Sequence, residues 1–252
     1  MSEKVFDGAT ALVTGGSRGI GRACCVRLGQ AGANVVVNYR SRKEDADETA
    51  RQIEAAGGRA HVVAADISDE GEVARMIAEI ERTFGPAELL VNNAGIFELL
   101  PHEQTTPEHW RRTLDVNLTG LYLVTWAVKD RMIERGYGRI VNVASIAGIR
   151  GRPTAIAYSV SKAGVIEFTK SASEALVKHG IRMNAVAPGL IGTEILDGVD
   201  PAHLDKLVAG TPIPRMGLPQ EIADAVYFLL SDQSSFINGQ TIVADGGRVM
   251  LP

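Results

Sequence analysis

The run Thr10-Ala-Leu-Val13 passes directly into Thr14-Gly-Gly-Ser-Arg-Gly-Ile-Gly21 and then into a helical pattern through Ala23, Val26 and Leu28. Few folds accept that order. Four apolar residues bounded by a glycine turn read as a strand buried on both faces, as strands of parallel sheets are. Glycines at 15, 19 and 21 allow a tight turn and a close approach of backbone to ligand. The helix beyond offers free N–H groups and a positive dipole end, which together suit a pyrophosphate. A plain tight turn between strand and helix has the same spacing, but the elements on either side are those a dinucleotide site requires. Gly15, Ser17, Arg18, Gly19 and Ile20 are the expected contacts.

The same alternation continues. Strands are expected at 34–38, 60–65, 88–91, 139–144, 182–187 and 240–244, with helices at 44–56, 72–84, 107–135, from Tyr158 to about 179, and 220–230. Strands alternating with helices imply one doubly wound, Rossmann-type α/β domain over residues 1–252, a seven-stranded parallel sheet with helices on both faces. Asn117-Leu-Thr-Gly120 places poor helix formers inside the long helix, so a local distortion is expected there, with a freed carbonyl able to hold water. From about 190 to 218, Gly, Pro, Asp and apolar residues mix without clear periodicity; this stretch is expected to be a substrate lid.

The strand ends carry the chemistry. After the second strand come Asn38-Tyr-Arg-Ser-Arg-Lys43, with no carboxylate before Glu44. An acid there would bond a ribose 2′-OH; a guanidinium suits a 2′-phosphate. Arg40 and Ser41, with Arg18 from the glycine turn, therefore point to NADPH over NADH. Asp66, beside Ile67, either accepts from an adenine amino group or caps the next helix. Asn92-Asn-Ala-Gly95 ends the fourth strand; Asn93, Ala94 and Gly95 let a cofactor pass close by, while the asparagines also suit bonds between neighbouring strands.

Tyr158 and Lys162 stand four apart on a predicted helix and so share a face. A nearby cation favours the phenolate and lowers a pKa that is ordinarily about 10. Ser145, at the end of Arg139-Ile-Val-Asn-Val-Ala144, is placed to hold a carbonyl oxygen while Tyr158 delivers a proton to it. Taken alone, the pair also describes an aromatic and a cation on a surface helix. Leu99, Leu100, Ile146, Ile149, Leu190 and Leu196 suggest an uncharged or acyl substrate, although each also suits a core.

Composition excludes other classes. Charged residues make up 22% of the 252, net charge is −4 and no basic block occurs, so nucleic acid is not expected as a partner. No run approaches the ~20 apolar residues of a membrane span. Cys24 and Cys25 are adjacent, poorly placed to bridge, and no metal-ligand spacing exists. Reduced thiols and an N-terminus without an apolar leader core imply a cytoplasmic protein.

Over nearly its whole length the chain resembles the short-chain dehydrogenase/reductase family. Thr14 to Gly21 matches its T-G-x-x-x-G-x-G turn, Asn92 to Gly95 its N-N-A-G, and Asn117, Ser145, Tyr158 and Lys162 its catalytic set. Pro188-Gly189 matches its P-G after the sixth strand, with Ile191 and Thr193 as nicotinamide contacts. The resemblance implies that Tyr158 is the acid/base and that Ser145 orients the carbonyl. It makes Lys162 a ribose ligand that tunes Tyr158, Asn117 the holder of a relay water, and the assembly a homotetramer. The likeness is greatest to the 3-oxoacyl-(acyl-carrier-protein) reductases of fatty acid biosynthesis, which implies a ketone or acyl thioester substrate and an acyl carrier protein as possible partner. Glu174 stands where such reductases often carry a carrier-docking arginine, a repulsive exchange; Arg131 and Arg135 are the remaining candidates for docking. Reduction of another ketone (cyclic, steroid-like, sugar or aromatic) is the alternative, and a cofactor-binding regulator without turnover is a third reading.

Overall fold

In the central strands, alternate residues go to opposite sides of the sheet and both sides are covered. Leu12, Val36, Leu90 and Ile140 pack into one core, while Val13, Val37, Val91 and Val141, one residue on, pack into the other. The period of two that places them is that of any strand; burial on both faces is why the runs read as continuously apolar. The computed structural model describes residues 4–196 and 198–250.

Seven parallel strands form one sheet: β1 (Thr10–Val13), β2 (Asn34–Tyr39), β3 (Arg59–Ala64), β4 (Leu89–Asn92), β5 (Gly138–Val143), β6 (Ile181–Pro188) and β7 (Thr241–Ala244). Their order is β3-β2-β1-β4-β5-β6-β7. Helices α1 (Gly19–Gln30), α2 (Lys43–Ala55) and α8 (Pro219–Leu230) supply Leu28, Ile53 and Val226 to the layer that holds Val13 and Val37. Helices α3 (Glu70–Phe84), α5 (Gly120–Arg135) and α6 (Ile156–Leu176) supply Met76, Val128 and Leu176 to the other. Chain order reverses between β1 and β4, and the crevice beyond their carboxyl ends is where doubly wound sheets bind ligands. Among the described residues, no helix is long and apolar enough to cross a membrane.

The long helix expected over 107–135 is interrupted. Helix α4 (Pro107–Leu114) leads into a single π-helical turn, Asp115–Thr119, before α5 begins. Such turns widen a helix by one residue and are frequent at functional sites. The stretch 190–218 differs from expectation, because it contains helix α7 (Pro201–Ala209), capped by the Asp200 carboxylate accepting from the Ala202 N–H at 3.1 Å. Asp200-Pro201 is a helix-start signal; the Gly- and Pro-rich surroundings hid it.

Candidate active site

The glycine turn is built around Thr14 and Asn93. The Thr14 hydroxyl accepts from the N–H groups of Asn93 (3.0 Å) and Ala94 (3.1 Å). In return, the Asn93 amide donates to the carbonyls of Thr14 and Gly15, both at 3.0 Å. A side chain at position 21 would fall 2.2 Å from the Gly15 carbonyl oxygen and 2.6 Å from that amide, so only glycine fits. Asn92 serves the framework: its amide donates to Asn142 (2.9 Å) and Thr125 (3.0 Å), joining β4 to β5 and α5. Both asparagines thus make bonds between neighbouring strand ends, as expected of the pair.

Helix α1 opens at Gly19 with no side-chain cap and no acid in its first turn. Its N–H groups face a crevice of about 280 Å³ lined by Arg18, Arg40, Ser41, Asp66 and Ile67 among others. Anion-binding donors at the turn and guanidinium groups beside it fit a phosphorylated dinucleotide. Asp66 does not cap α3, since Asp69 does so by accepting from the Glu72 N–H at 2.8 Å. Asp66 instead accepts from the Ser68 N–H and hydroxyl (3.0 and 2.6 Å) and pairs with Arg40 at 3.5 Å. Burial works to raise its carboxyl, but the bonds from Ser68 and Arg40 hold it below the usual range.

The crevice runs on through Ile20, Asn93, Gly95 and Thr193 into a cavity of about 470 Å³, within the size range of ligand pockets. Ser145, Tyr158, Lys162, Pro188, Gly189 and Ile191 line this cavity. Every residue expected to contact the cofactor borders one of the two spaces. Ser145 leaves the end of β5 with its Oγ accepting from the Ala147 N–H at 3.1 Å. Tyr158 and Lys162 come from the first two turns of α6, and the Lys162 Nζ lies 5.8 Å from the Tyr158 ring centroid. That ammonium donates to the Val143 carbonyl at 2.7 Å.

The electrostatics differ from the expectation that Lys162 lowers the phenol. Burial pushes Tyr158 up; its contact with Ser145 works the other way. Burial also pulls the Lys162 ammonium down to about 8. Desolvation outweighs attraction because the cation is turned toward Val143 and stands off the ring. Burial thus favours the neutral phenol at Tyr158.

Asn117 sits in the π turn and borders neither space; it is 1% exposed. Its side-chain oxygen accepts from the Ile96 N–H (2.7 Å), and its amide donates to the Ile96 carbonyl (2.9 Å) and the Ser161 hydroxyl (3.1 Å). The side chain therefore braces the loop after β4 against α6. Leu99, Ile146, Leu190 and Leu196 line the cavity, whereas Leu100 and Ile149 do not. Sequence reading missed Phe97, edge-on to Tyr158 at 4.9 Å, and Val199, Leu204 and Leu207 from the 190–218 segment. It also missed Arg152 and Arg248, which enter the same cavity.

Arg131 and Arg135 do not serve this site. Arg131 pairs with Glu81 (3.2 Å) and Glu134 (2.8 Å), and Arg135 pairs with Glu88 just ahead of β4, at the amino-terminal end of the strands and away from the crevice. Glu174 is exposed in the last turn of α6, about 24 Å along the helix from Tyr158 at 1.5 Å per residue.

A doubly wound sheet with a phosphate-binding turn and a buried proton donor beside it defines a nicotinamide-dependent oxidoreductase. Comparison with known proteins agrees. The family described as enoyl-(acyl carrier protein) reductase matches residues 15–248. A 3-oxoacyl-[acyl-carrier-protein] reductase of Synechocystis sp. is 40% identical over 242 residues, covering 96% of this chain and 97% of that one. An acetoacetyl-CoA reductase of Rhizobium meliloti is 41% identical over 239 residues, covering 94% and 97%. A solved short-chain type dehydrogenase/reductase of Mycobacterium marinum superposes with a TM-score of 0.93 at 32% identity, covering 98% of each chain. This chain belongs to the short-chain dehydrogenase/reductase family and is an oxidoreductase acting on keto or hydroxyl groups.

Proposed function

We propose that the protein uses NADPH to reduce a ketone to a secondary alcohol, with a 3-oxoacyl thioester as the substrate. The observation that carries this reading is the convergence of Ser145, Tyr158 and Lys162 where the nucleotide crevice opens into a largely apolar cavity. When bound, the dinucleotide supplies the hydride. Ser145 donates a hydrogen bond to the carbonyl oxygen, and Tyr158 protonates that oxygen. Lys162 stabilises the phenolate left behind and bonds the nicotinamide ribose. Water held by main-chain groups around Asn117 returns the proton to Tyr158. Gly15, Ser17, Gly19, Ile20, Asn93, Ala94 and Gly95 hold the pyrophosphate and adjoining sugars, Asp66 and Ile67 the adenine, and Pro188, Gly189, Ile191 and Thr193 the nicotinamide. Arg18, Arg40 and Ser41 take the 2′-phosphate; Arg40 is oriented for this by Asp66.

The apolar groups on the 190–218 segment favour its acting as a lid that covers an acyl chain. A small thioester is favoured over a docked acyl carrier protein, because Arg131 and Arg135 are already paired toward the amino-terminal end of the strands, away from the cavity. The buried free thiols Cys24 and Cys25 support a reducing, cytoplasmic setting, and the assembly proposed is a homotetramer. The test is NADPH and NADH oxidation with acetoacetyl-CoA alongside a panel of cyclic, sugar and aromatic ketones. Turnover of the thioester with NADPH is expected; turnover of only another ketone overturns the acyl assignment. In Arg40→Ala, kcat/KM for NADPH should fall at least tenfold more than that for NADH, consistent with one lost charge-assisted bond of about 1.5–3 kcal/mol. Equal losses overturn the cofactor assignment.

A further inference from the structure

Two arginines line the cavity that holds Tyr158, a third stands beside them, and among the described residues no acid lines it. Arg152 and Arg248 line its wall, one just ahead of α6 and the other in the segment after β7. The Arg152 backbone is pinned: its N–H donates to the Ser159 hydroxyl at 3.0 Å and its carbonyl accepts from the Ala155 N–H at 3.0 Å. Its guanidinium makes no hydrogen bond or ion pair among the described residues. Arg248 is held by a turn in which Asp245 accepts from the N–H groups of Gly247 (2.9 Å) and Val249 (2.6 Å). It spends one guanidinium nitrogen on the Leu207 carbonyl (2.5 Å) and the Thr211 hydroxyl (3.3 Å), at the end of α7. Arg150 stands exposed nearby. Burial first, and then the charges of Arg248 and Arg150, hold Arg152 below the usual range for a guanidinium.

A half-buried, unpaired cation beside two others is unfavourable unless an anion completes it. A guanidinium presents its N–H groups in a rigid fork that matches the oxygens of a carboxylate or phosphate. The same cavity has an apolar lining from Phe97, Leu99, Leu196, Leu204 and Leu207. A ligand that satisfies this lining has both a hydrocarbon part and an oxyanion, with its ketone at Tyr158.

We propose that Arg152, supported by Arg248 and Arg150, recognises an oxyanion covalently joined to the ketone substrate, and so sets the enzyme's preference for anionic over neutral ketones. The inference rests on the ketone-reductase reading above and deepens it. Two sources share this chemistry: the phosphate of a phosphopantetheine arm and a carboxylate on the ketone itself.

Two substrate pairs, each differing by one charged group, separate these sources. The first is acetoacetyl-phosphopantetheine against acetoacetyl-pantetheine; the second is acetoacetate against its methyl ester. In the wild-type enzyme, the charged member of one pair should have a kcat/KM at least tenfold higher than the neutral one. Arg152→Gln should abolish that ratio, whereas Arg152→Lys should keep part of it, and added salt should lower it. The responding pair names the source. A general loss of folding lowers both members and leaves the ratio, so the ratio is the quantity to read. No preference in either pair, or a ratio unchanged in Arg152→Gln, overturns the proposal. Failure of all four compounds to turn over would sink the acyl-ketone reading instead. In that case calorimetric titration of the same four compounds still decides: tighter binding of a charged member that is lost in Arg152→Gln supports the site, and equal binding of both members refutes it.

Discussion

At the scale of single residues, the site sets two ionisable groups against their ordinary tendencies. The Tyr158 phenol is raised by burial, so it reaches a substrate protonated. Tyr158→Phe removes only that proton. Turnover should fall by about 10²–10⁴-fold, the usual worth of a general acid, while cofactor binding measured by fluorescence stays intact. Unchanged turnover would remove Tyr158 from the chemistry and discard the proton-transfer mechanism. Lys162 gives a pH signature. Its folded value of about 8 lies below the 10.5 of an ordinary lysine. Between those values the unfolded chain binds more protons than the folded one, so stability rises with pH across that window. Below pH 8 the whole penalty applies, on the order of 3 kcal/mol. The unfolding free energy of wild type minus that of Lys162→Met should therefore increase from pH 8 to pH 10. The variant leaves the Val143 carbonyl without its partner, but that loss does not depend on pH, so the slope is the diagnostic quantity. A flat difference in urea melts at pH 7, 8, 9 and 10 would show that Lys162 is not desolvated as the structure implies.

At the scale of elements, the site depends on how tightly the turn after Ser145 sits on α6. A methyl group at Gly148 would lie 2.5 Å from the Lys162 carbonyl carbon and 2.7 Å from the Ala163 nitrogen. Both are backbone atoms and cannot swing aside. Gly148→Ala must push the turn from the helix, at a cost of about 1–3 kcal/mol for overpacking. Ser145 moves with the turn, so kcat should drop about 10–100-fold, since an ångström of misplacement costs on that order. A lowered midpoint of unfolding with kcat preserved would mean that the Ser145–Tyr158 spacing tolerates the shift. What could be read from sequence at this scale was what is encoded locally. Thr10–Val13 and the turn to Gly21 name their own partners, and Asn117 and Gly120 announced the break that became a π turn. The expected strand ends lie within a residue of the observed ones because two-faced burial leaves apolar runs with abrupt ends. Helix α7 escaped because none of its described side chains is fully buried and glycine and proline surround it, although Asp200-Pro201 and the spacing of Leu204, Leu207 and Val208 were there to find. Asp66 was ambiguous since Asp66 and Asp69 both precede the same helix. The meeting of Arg152 with Arg248 depends on contacts across almost a hundred positions of sequence, which no local pattern carries. The raised phenol also escaped, because the spacing of Tyr158 and Lys162 shows the cation but not the burial around it.

At the scale of the whole molecule, the aromatic face on α5 and α6 remains unused by the single chain. Tyr122 and Trp126 are 39% and 37% exposed, unusual for such rings on a folded surface, and their centroids lie 4.7 Å apart. Phe168 from α6 packs against both, at 6.5 and 5.8 Å. Stacked aromatic rings of this kind are favoured at the centres of protein interfaces, where they combine large apolar area with little side-chain entropy. If this face joins copies of the chain, a carboxylate in it must be desolvated without a partner. Trp126→Asp should then shift the assembly from about four times the 26.9 kDa chain mass toward smaller species in light scattering, more so on dilution. The same helix α6 carries Tyr158 and Lys162 near its start, so releasing its outer face should loosen the site as well. Activity should therefore fall with dilution in step with mass, and recover when the protein is concentrated. A variant that keeps the wild-type mass would place the interface elsewhere. One that dissociates at full activity would show that α6 is held by the sheet alone, through bonds such as that from Asn142 to Thr169 at 2.9 Å.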